Sequence, residues 1–217
     1  MVIYVGLDLS LTSPGVAIYD TGSASWTLYG FVQRVREQGL TRYSGTTTIR
    51  LVPRIPSAAS SNEERYEHIR HYIVDVMLAP FHADPCVVVG IECYAFGAKN
   101  AGSSYKLQEL GGIVKHSLWK TYPAWRQEII TPGQWKKHTI GSGRATKADA
   151  LKHVRNHGPN VCLLPELGLE LTSTGDVPCP AQDLADAACI VLSLLKKQRA
   201  IGTGDMPLSP RDSMHLC

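Results

Sequence analysis

The sequence predicts an α/β layered domain built on a mixed β-sheet. Three short apolar segments follow one another closely at the start of the chain, as in an antiparallel meander. Further along, two more apolar segments alternate with helical patterns, as in strands that are connected by helices. A length of 217 residues is typical of one such domain.

The three N-terminal segments are separated by turn-forming residues. Residues 2–10 (VIYVGLDLS) are apolar and β-branched up to an acid, which is typical of a buried strand. The next two strands are expected at residues 16–20, after the turn Thr12–Gly15, and at residues 26–32, after Thr21-Gly22-Ser23.

A polar excursion, a helix and a buried strand follow. Residues 33–61 are polar and contain two prolines, so we expect them to be a mobile excursion from the domain. Residues 62–64 (NEE) predict a helix start, because Asn is a good N-cap and acids favour the first turn, and the helix continues to about Leu78. Residues 85–92 (PCVVVGIE) are almost continuously apolar, as in a strand covered on both faces.

The second half of the chain is mostly helical. The predicted elements are a helix over 107–119, a strand over 126–131, helices over 135–140 and 146–156, and a long helix over 181–199. Gly111-Gly112 inside the first of these helices predicts a close contact with another helix. Residues 158–180 are rich in proline, glycine and polar side chains. We expect one domain over residues 1–200 and a disordered tail over 201–217.

Composition restricts the class of protein. With 44% hydrophobic and 19% charged residues, the chain is an ordinary folded protein, which excludes wholesale disorder, collagen-like repeats and a disulfide miniprotein. Its six cysteines have no C-x-x-C spacing, so a zinc site is not expected. There is no basic leader and no apolar stretch near the ~18 residues that span a bilayer. The sequence therefore predicts a protein of a reducing cytosol or nucleus without a membrane anchor, and of the two we expect the cytoplasm.

The net charge of +3, from 22 basic and 19 acidic residues, conceals an uneven distribution. Residues 134–157 carry six Lys or Arg and one acid, and residues 33–54 carry five Arg and one acid. Residues 160–186 carry five acids and no Lys or Arg. A basic run is usually a solvated face, but one joined to the Gly141-Ser-Gly143 turn favours contact with phosphate.

Two acids occupy strand ends and two share a helix face. Asp8 lies near the end of the first strand and Glu92 at the end of the strand over 85–92, where a buried carboxylate costs several kcal/mol unless it is paired or binds a cation. Asp183 and Asp186 are three residues apart, on one face of the last helix. Taken singly, each acid is also consistent with a turn residue or with a complement to the helix dipole.

Together the four acids predict a metal-binding cluster. Clustered carboxylates cannot all be ionised without a counter-charge, and hard divalent cations bound through oxygen supply one. Two Mg²⁺ ions roughly 3.5–4 Å apart would stabilise the attacking and leaving oxygens of a phosphodiester. This chemistry indicates a nuclease.

Four sequence blocks point to a family. They are GLDLSLTSPG (6–15), GIE (90–92), WKKHTIGSGRATK (135–147) and QDLADA (182–187). In this order and approximate spacing they resemble the RuvC-type Holliday junction resolvases of the RNase H-like (retroviral integrase) superfamily, over roughly residues 2–195. The resemblance implies the RNase H-like fold, with a mixed five-stranded sheet flanked by helices.

The resemblance also implies an activity and its cofactor. Family members are homodimers that bind a four-way DNA junction and nick two opposed strands symmetrically, leaving 5′-phosphate and 3′-hydroxyl ends. Carried over by position, Asp8, Glu92, Asp183 and Asp186 match the catalytic, metal-binding acids. Two Mg²⁺ ions per active site are implied, with Mn²⁺ expected to substitute. Asp8 is expected to bridge the ions.

Further residues are expected to contact DNA. Lys136 and Lys147 match two lysines of the family's basic segment, and Lys137 and Arg144 lie in the same block. Tyr94 and Phe96 flank the place where an aromatic side chain can stack on junction bases; packing in the core or at a dimer interface is the alternative for both.

The chain departs from compact bacterial members of the family in three places. The 33–61 excursion is long, the segment over 158–180 is extended and a tail is appended. The stretch Tyr94–Asn100 (YAFGAKN) looks more like phage- or virus-encoded relatives, for which the host cytoplasm is the expected location. These departures leave sequence preference and strict four-way specificity open.

Three alternative functions remain at this point. One is another RNase H-like nuclease, acting on flaps, Y-branches or RNA–DNA hybrids. The second is a non-catalytic junction-binding protein, against which the four acids argue. The third is an actin-like ATPase, because Asp8-x-Ser10-x-Thr12 followed by Gly15 resembles a phosphate-binding hairpin; a full ATPase needs two such domains.

Overall fold

A computed structural model describes residues 1–32, 40–53, 61–93, 101–174 and 176–201. In these ranges the strands are β1 (Ile3–Asp8), β2 (Gly15–Asp20), β3 (Ser25–Val32), β4 (Thr41–Ser44), β5 (Thr47–Pro53), β6 (Val87–Glu92) and β7 (Arg126–Ile130). They form one seven-stranded mixed sheet in the order β4-β5-β3-β2-β1-β6-β7.

The predicted N-terminal meander is confirmed. Strand β1 pairs antiparallel with β2, and β2 pairs antiparallel with β3. On its other side β1 pairs parallel with β6, and β6 pairs parallel with β7. Strand β1 therefore lies inside the sheet, and its carboxyl end is at the same edge as the carboxyl ends of β6 and β7.

The expectation of five strands is wrong, because two strands lie inside the predicted 33–61 excursion. Strand β5 adds to β3 in parallel and β4 returns antiparallel along β5. In β5 the side chains of Thr47, Ile49 and Leu51 are buried, and alternate positions face outward. This period-2 alternation was the available signal, and it was weakened by the threonines and Arg50 around it.

Six α-helices are present in the described ranges. They are α1 (Asn62–Arg70), α2 (Ala101–Thr121), α3 (Pro132–Ile140), α4 (Lys147–His157), α5 (Leu163–Glu166) and α6 (Ala181–Ile201). Helix α1 continues as a π-helical segment over His71–Met77 and a 3₁₀ turn over Ala79–Phe81, so the predicted helix to about Leu78 is close to the structure. Its N-cap is Ser61, in a capping box with Glu64, one residue before the predicted start.

Helices cover both faces of the sheet. One face packs against α6, with α3 and α4 outside it, and its core contains Leu184, Ala188 and Trp135. The other face packs against α1, its π-helical continuation and α2, and its core contains Ile69, Ile73 and Val114. The segment before α6 also joins the first core through four apolar side chains, Val161, Leu163, Leu167 and Val177.

The predictions for the Gly111-Gly112 pair and for the C-terminal tail have different outcomes. The predicted close contact at Gly111-Gly112 is wrong within this chain, since a Cβ added at either glycine meets no atom within 4 Å. Residues 202–217 lie outside the described residues, so the disordered tail stays a prediction. No helix in the described ranges is both long enough and apolar enough to cross a membrane.

Candidate active site

The pairing of β1 with β6 sets two carboxylates side by side. Leu7 pairs with Ile91 in this parallel ladder, so Asp8 and Glu92 are the next residue on each strand. Residues at one level of adjacent strands project to the same face of a sheet. The side chains of Asp8 and Glu92 therefore project from the same edge and the same face of the sheet.

Helix α6 covers that face at very short range. A Cβ at Gly6, two residues before Asp8, would overlap the carbonyl oxygen of Ala187 in α6. A Cβ at Gly15, which pairs with Asp8, would overlap the carbonyl oxygen of Asp183. Glycine at both positions lets the backbone of α6 rest directly on the sheet.

The second pair of carboxylates comes from the first turns of α6. Asp183 is buried and Asp186 is half-buried, on the side of the helix nearest the strand ends. Ser13, in the loop between β1 and β2, donates its hydroxyl to Asp183 Oδ2 at 2.7 Å and is itself buried. The loop that follows Asp8 therefore holds one of the helix carboxylates in place.

All four acids line one cavity of about 400 Å³. Its other walls are polar and apolar groups of the β1–β2 loop, α2 and α6: Leu9, Ser10, Leu11, Thr12, Leu107 and Gln182. Acids that are up to 178 positions apart in sequence thus meet in one place. Their catalytic and metal-binding roles stay predictions.

Burial and mutual repulsion make protonation of these acids easier. The pKa of Asp8 is raised well above its usual range by burial first and then by the charges of Glu92, Asp186 and Asp183. Burial raises the pKa of Glu92 to about 7 and that of Asp186 to about 6. Hydrogen bonds from Trp135 to Glu92 and from Gln182 to Asp186 oppose the rise. Burial and the neighbouring carboxylates together therefore favour the protonated forms of these acids.

The donor set fits hard divalent cations. Carboxylate oxygens are the ligands that Mg²⁺ and Mn²⁺ prefer, and a 2+ ion would stabilise the ionised forms that burial and mutual repulsion disfavour. Among the described residues, however, no group of three His, Cys, Asp or Glu side chains stands in the arrangement of an assembled metal site.

The raised pKa values of Glu92 and Asp186 predict that these two groups make the fold less stable as the pH rises. Because the folded protein binds protons on Glu92 and Asp186 more tightly than the unfolded chain does, ionisation of these groups destabilises the fold. The loss of unfolding free energy that these two groups cause is complete above pH ~7. It disappears as the pH falls below about 4, near the pKa values of the same carboxyls in the unfolded chain. We expect Asp186→Asn to raise the Tm of the metal-free protein at pH 8 by about 4–8 °C, corresponding to about 2 kcal/mol.

This difference should shrink when the pH falls to 5. Thermal melts of wild type and Asp186→Asn in EDTA between pH 5 and 8 measure it. Subtracting one Tm from the other cancels the contributions of groups that titrate elsewhere in the protein. Saturating Mg²⁺ should raise the Tm of wild type more than that of the variant. A variant that is equally destabilised at every pH would contradict the electrostatic picture.

Two of the predicted basic residues are next to the acids. The ammonium group of Lys147, in the first turn of α4, donates to Gln182 Oε1 at 2.6 Å, and its charge lowers the pKa of Asp8 and Asp186. The charge of Lys136, in α3, lowers the pKa of Glu92 and Asp186. Two lysines of the basic block therefore lie close enough to the carboxylates to influence their charge.

The other residues predicted to contact DNA either do not line the cavity or lie outside the described residues. Lys137 and Arg144 are exposed, on α3 and on the loop before α4, and neither lines the cavity. Gly141 ends α3 in the left-handed conformation (φ 92°), which allows the sharp turn between the two lysines. Tyr94 and Phe96 lie outside the described residues.

Sequence reasoning missed two side chains that hold the acids. The sequence marks Ser13 only as a turn residue, and Trp135 only as the start of a short helix in the basic block. The indole Nε1 of Trp135 donates to Glu92 Oε2 at 2.9 Å. No local sequence pattern indicates the role of Trp135, because its approach to Glu92 depends on the pairing of Glu92 with Ile130, five residues before it.

Comparison with known proteins supports the fold. No protein-family model matches the chain, and no curated protein does. The chain is similar to a solved structure of Thermus thermophilus RuvC, with 20% sequence identity, coverage of 92% of this chain and 96% of that chain, and a TM-score of 0.55. It is equally similar to T. thermophilus RuvC in complex with a Holliday junction substrate, at 18% identity and the same coverage and TM-score. The chain therefore has an α/β fold that matches the fold of RuvC, as the sequence predicts.

Proposed function

We propose that this chain, which has the fold of RuvC, is a Mg²⁺-dependent structure-selective endonuclease that resolves four-way DNA junctions by paired symmetric nicks. The single observation that supports this most strongly is that four carboxylates from β1, β6 and α6 line one cavity at the edge of the sheet. A structural neighbour with the same fold has been solved with a Holliday junction substrate. The nicks are expected to leave 5′-phosphate and 3′-hydroxyl ends.

The four acids and Ser13 would have distinct roles in this activity. Asp8, Glu92, Asp183 and Asp186 would hold two Mg²⁺ ions, which when bound supply an activated water and stabilise the leaving 3′-oxygen. Asp8 is central, because its pKa responds to the charges of all three other acids. Ser13 fixes one oxygen of Asp183, so this carboxylate needs little reorganisation on binding a cation.

The two lysines beside the cavity would bind the DNA backbone. Lys136 and Lys147 bring positive charge to the carboxylate cavity, which favours the approach of a phosphodiester to the four acids. Contacts of this kind position the backbone and carry no sequence information. We therefore place substrate choice in the shape of the branched DNA rather than in contacts from these two residues.

Substrate selectivity can be tested by competition. A labelled four-way junction is incubated with Mg²⁺ and with an unlabelled four-way, Y-shaped, linear or RNA–DNA hybrid competitor. The proposal predicts that only the four-way competitor suppresses cleavage at stoichiometric concentration. Equal suppression by a Y-branch or a hybrid would instead assign the site to another RNase H-like activity, and ATP hydrolysis without DNA would favour an actin-like ATPase.

We also propose that the chain acts as a homodimer through the outer face of α2. Tyr105 and Trp119 on this face are 63% and 59% exposed, and a Cβ at Gly112 between them would meet open space. Tyr105 precedes Gly112 by seven residues and Trp119 follows it by seven. Glu109 and Lys115 are likewise three residues on either side.

This symmetry makes the face complementary to itself. If two α2 helices cross antiparallel at Gly112, each Tyr105 lies against the partner subunit's Trp119, and each Glu109 lies near the partner subunit's Lys115. Glycine at the crossing point allows close approach of the two backbones, which gives Gly112 the helix contact that it lacks within the chain. Aromatic pairs of this kind dominate the energy of many interfaces.

Trp119→Glu is therefore expected to weaken the dimer by at least about 30-fold, corresponding to about 2 kcal/mol. Sedimentation velocity over a range of concentrations measures the dissociation constant. Tyr43→Glu is the matched control, because Tyr43 is an exposed aromatic residue (75%) on β4, away from α2. A Trp119→Glu variant that dimerises as tightly as the control would exclude this face.

A further inference from the structure

We infer that Trp135 is a positioning residue for the metal-binding carboxylate of Glu92: its indole N–H holds one oxygen and leaves the other for the cation. This inference rests on the proposed function, since it concerns the same cavity. It adds a role that does not follow from the four acids or from the two lysines.

Strand register brings Trp135 to Glu92. Glu92 pairs with Ile130 at the end of the parallel β6–β7 ladder, and the amide of Cys93 donates to the carbonyl of Ile130 at 3.0 Å. Helix α3 begins directly afterwards, with Thr131 as its N-cap. Trp135 lies one turn into α3, and its amide donates to the carbonyl of Thr131 at 3.1 Å.

The start of α3 is fixed by its own hydrogen bonds. Thr131 and Gln134 form a capping box, in which the Thr131 hydroxyl accepts from the Gln134 amide at 3.3 Å and Gln134 Oε1 accepts from the Thr131 amide at 2.8 Å. One turn later, the Thr139 hydroxyl donates to the carbonyl of Trp135 at 2.5 Å. The indole is therefore carried by backbone with little freedom to shift.

The indole itself is locked by burial. Only 1% of Trp135 is exposed, and it belongs to the core beneath α6. An indole has one polar hydrogen and no acceptor, so inside a core this N–H needs a partner, and Glu92 Oε2 is that partner at 2.9 Å. A charge-assisted bond of this kind sets both the rotamer and the orientation of the carboxylate.

The neighbouring lysine strengthens this arrangement. The ammonium group of Lys136 lies 5.5 Å from the centroid of the Trp135 ring, within the range of cation–π attraction. One turn of α3 thus supplies both the N–H that orients Glu92 and a charge that favours its ionised form. Partners that orient a metal ligand typically change metal affinity by about 10–100-fold when they are removed.

The test compares two buried tryptophans. Trp135→Phe removes the N–H and keeps an aromatic ring. Trp125→Phe is the matched control, because Trp125 is also buried (7% exposed) and its Nε1 donates at 2.9 Å to the carbonyl of Asp84, in the core on the opposite face of the sheet. Binding of Mn²⁺ alone, without DNA, is measured by titration calorimetry on each full-length protein.

We expect Trp135→Phe to weaken Mn²⁺ binding by about 10–100-fold and Trp125→Phe to leave it within about 2-fold of wild type. Equal affinities for the two variants would overturn the positioning role and leave the proposed function standing. A wild-type protein that binds no Mn²⁺ would overturn the metal site, and with it both the proposed function and this role.

A second measurement needs no folded variant at position 135. The four indole N–H signals of ¹⁵N-labelled wild-type protein are followed during titration with Mg²⁺, and the other three are assigned with variants at Trp26, Trp119 and Trp125. The inference predicts that the Trp135 signal moves with Mg²⁺ occupancy while the signal of Trp125 does not. An unmoved Trp135 signal in a protein that binds Mg²⁺ would contradict the inference.

Discussion

Replacement of Asp8 by Asn is expected to abolish cleavage of a four-way junction while leaving binding of that junction intact. The substitution keeps the size of the side chain and removes the charge that interacts with all three other acids. We expect a loss of at least about 10³-fold in cleavage rate, corresponding to about 4 kcal/mol of transition-state stabilisation. Glu92→Gln is expected to behave in the same way.

Junction binding should survive, because removing a negative charge beside Lys136 and Lys147 does not weaken backbone contacts. Single-turnover cleavage in Mg²⁺ and gel-shift binding in EDTA separate the two effects. Asp84→Asn is the control, since Asp84 precedes β6 and lies at the opposite edge of the sheet from Glu92. Full cleavage by Asp8→Asn or Glu92→Gln in Mg²⁺ would remove these acids from the mechanism.

Gly15→Ala is expected to damage both the fold and the site, although it adds a single methyl group. The new Cβ would overlap the carbonyl oxygen of Asp183, which is backbone and cannot rotate away. Helix α6 must therefore move off the sheet, which we expect to cost about 3 kcal/mol or more of unfolding free energy. The same movement displaces Asp183 from Ser13, so cleavage should fall by more than the loss of folded protein explains.

Urea denaturation gives the stability of this variant, and cleavage per folded molecule gives the effect on the site. Gly111→Ala is the matched control, because a Cβ there meets open space in the middle of α2. This control should be neutral or stabilised by up to about 1 kcal/mol, as expected when alanine replaces glycine in a helix. Wild-type stability and activity in Gly15→Ala would show that α6 does not rest on the sheet as described.

The features predictable from sequence are those with a local signal. The apolar runs that end in Asp8 and Glu92 marked two buried strands, and the i, i+3 spacing of Asp183 and Asp186 marked one helix face. Placing these acids together needed the parallel register of β1 with β6, which no local pattern encodes. The resemblance to RuvC-type resolvases supplied that juxtaposition.

Other features depend on contacts between distant residues. Strand β5 is stable because β3 provides a partner for it and because Thr47 donates to the carbonyl of Pro159, 112 residues away. Gly6 and Gly15 looked like ordinary strand and turn residues until α6 was seen to lie against them. Trp135 had no visible role in sequence, because its hydrogen bond to Glu92 crosses two elements. Tertiary packing decided each of these.

The most direct test of the central claim, that the four-carboxylate cavity is a metal-dependent junction-resolving site, is to map nicks on a synthetic mobile four-way junction. Each of the four strands is labelled in turn and incubated with the protein in Mg²⁺, in Mn²⁺ or in EDTA. We expect nicks at symmetric positions on two opposed strands, with ends that a ligase can rejoin, and no nicks in EDTA. Absence of cleavage with either metal, or cleavage that persists in EDTA, would contradict it.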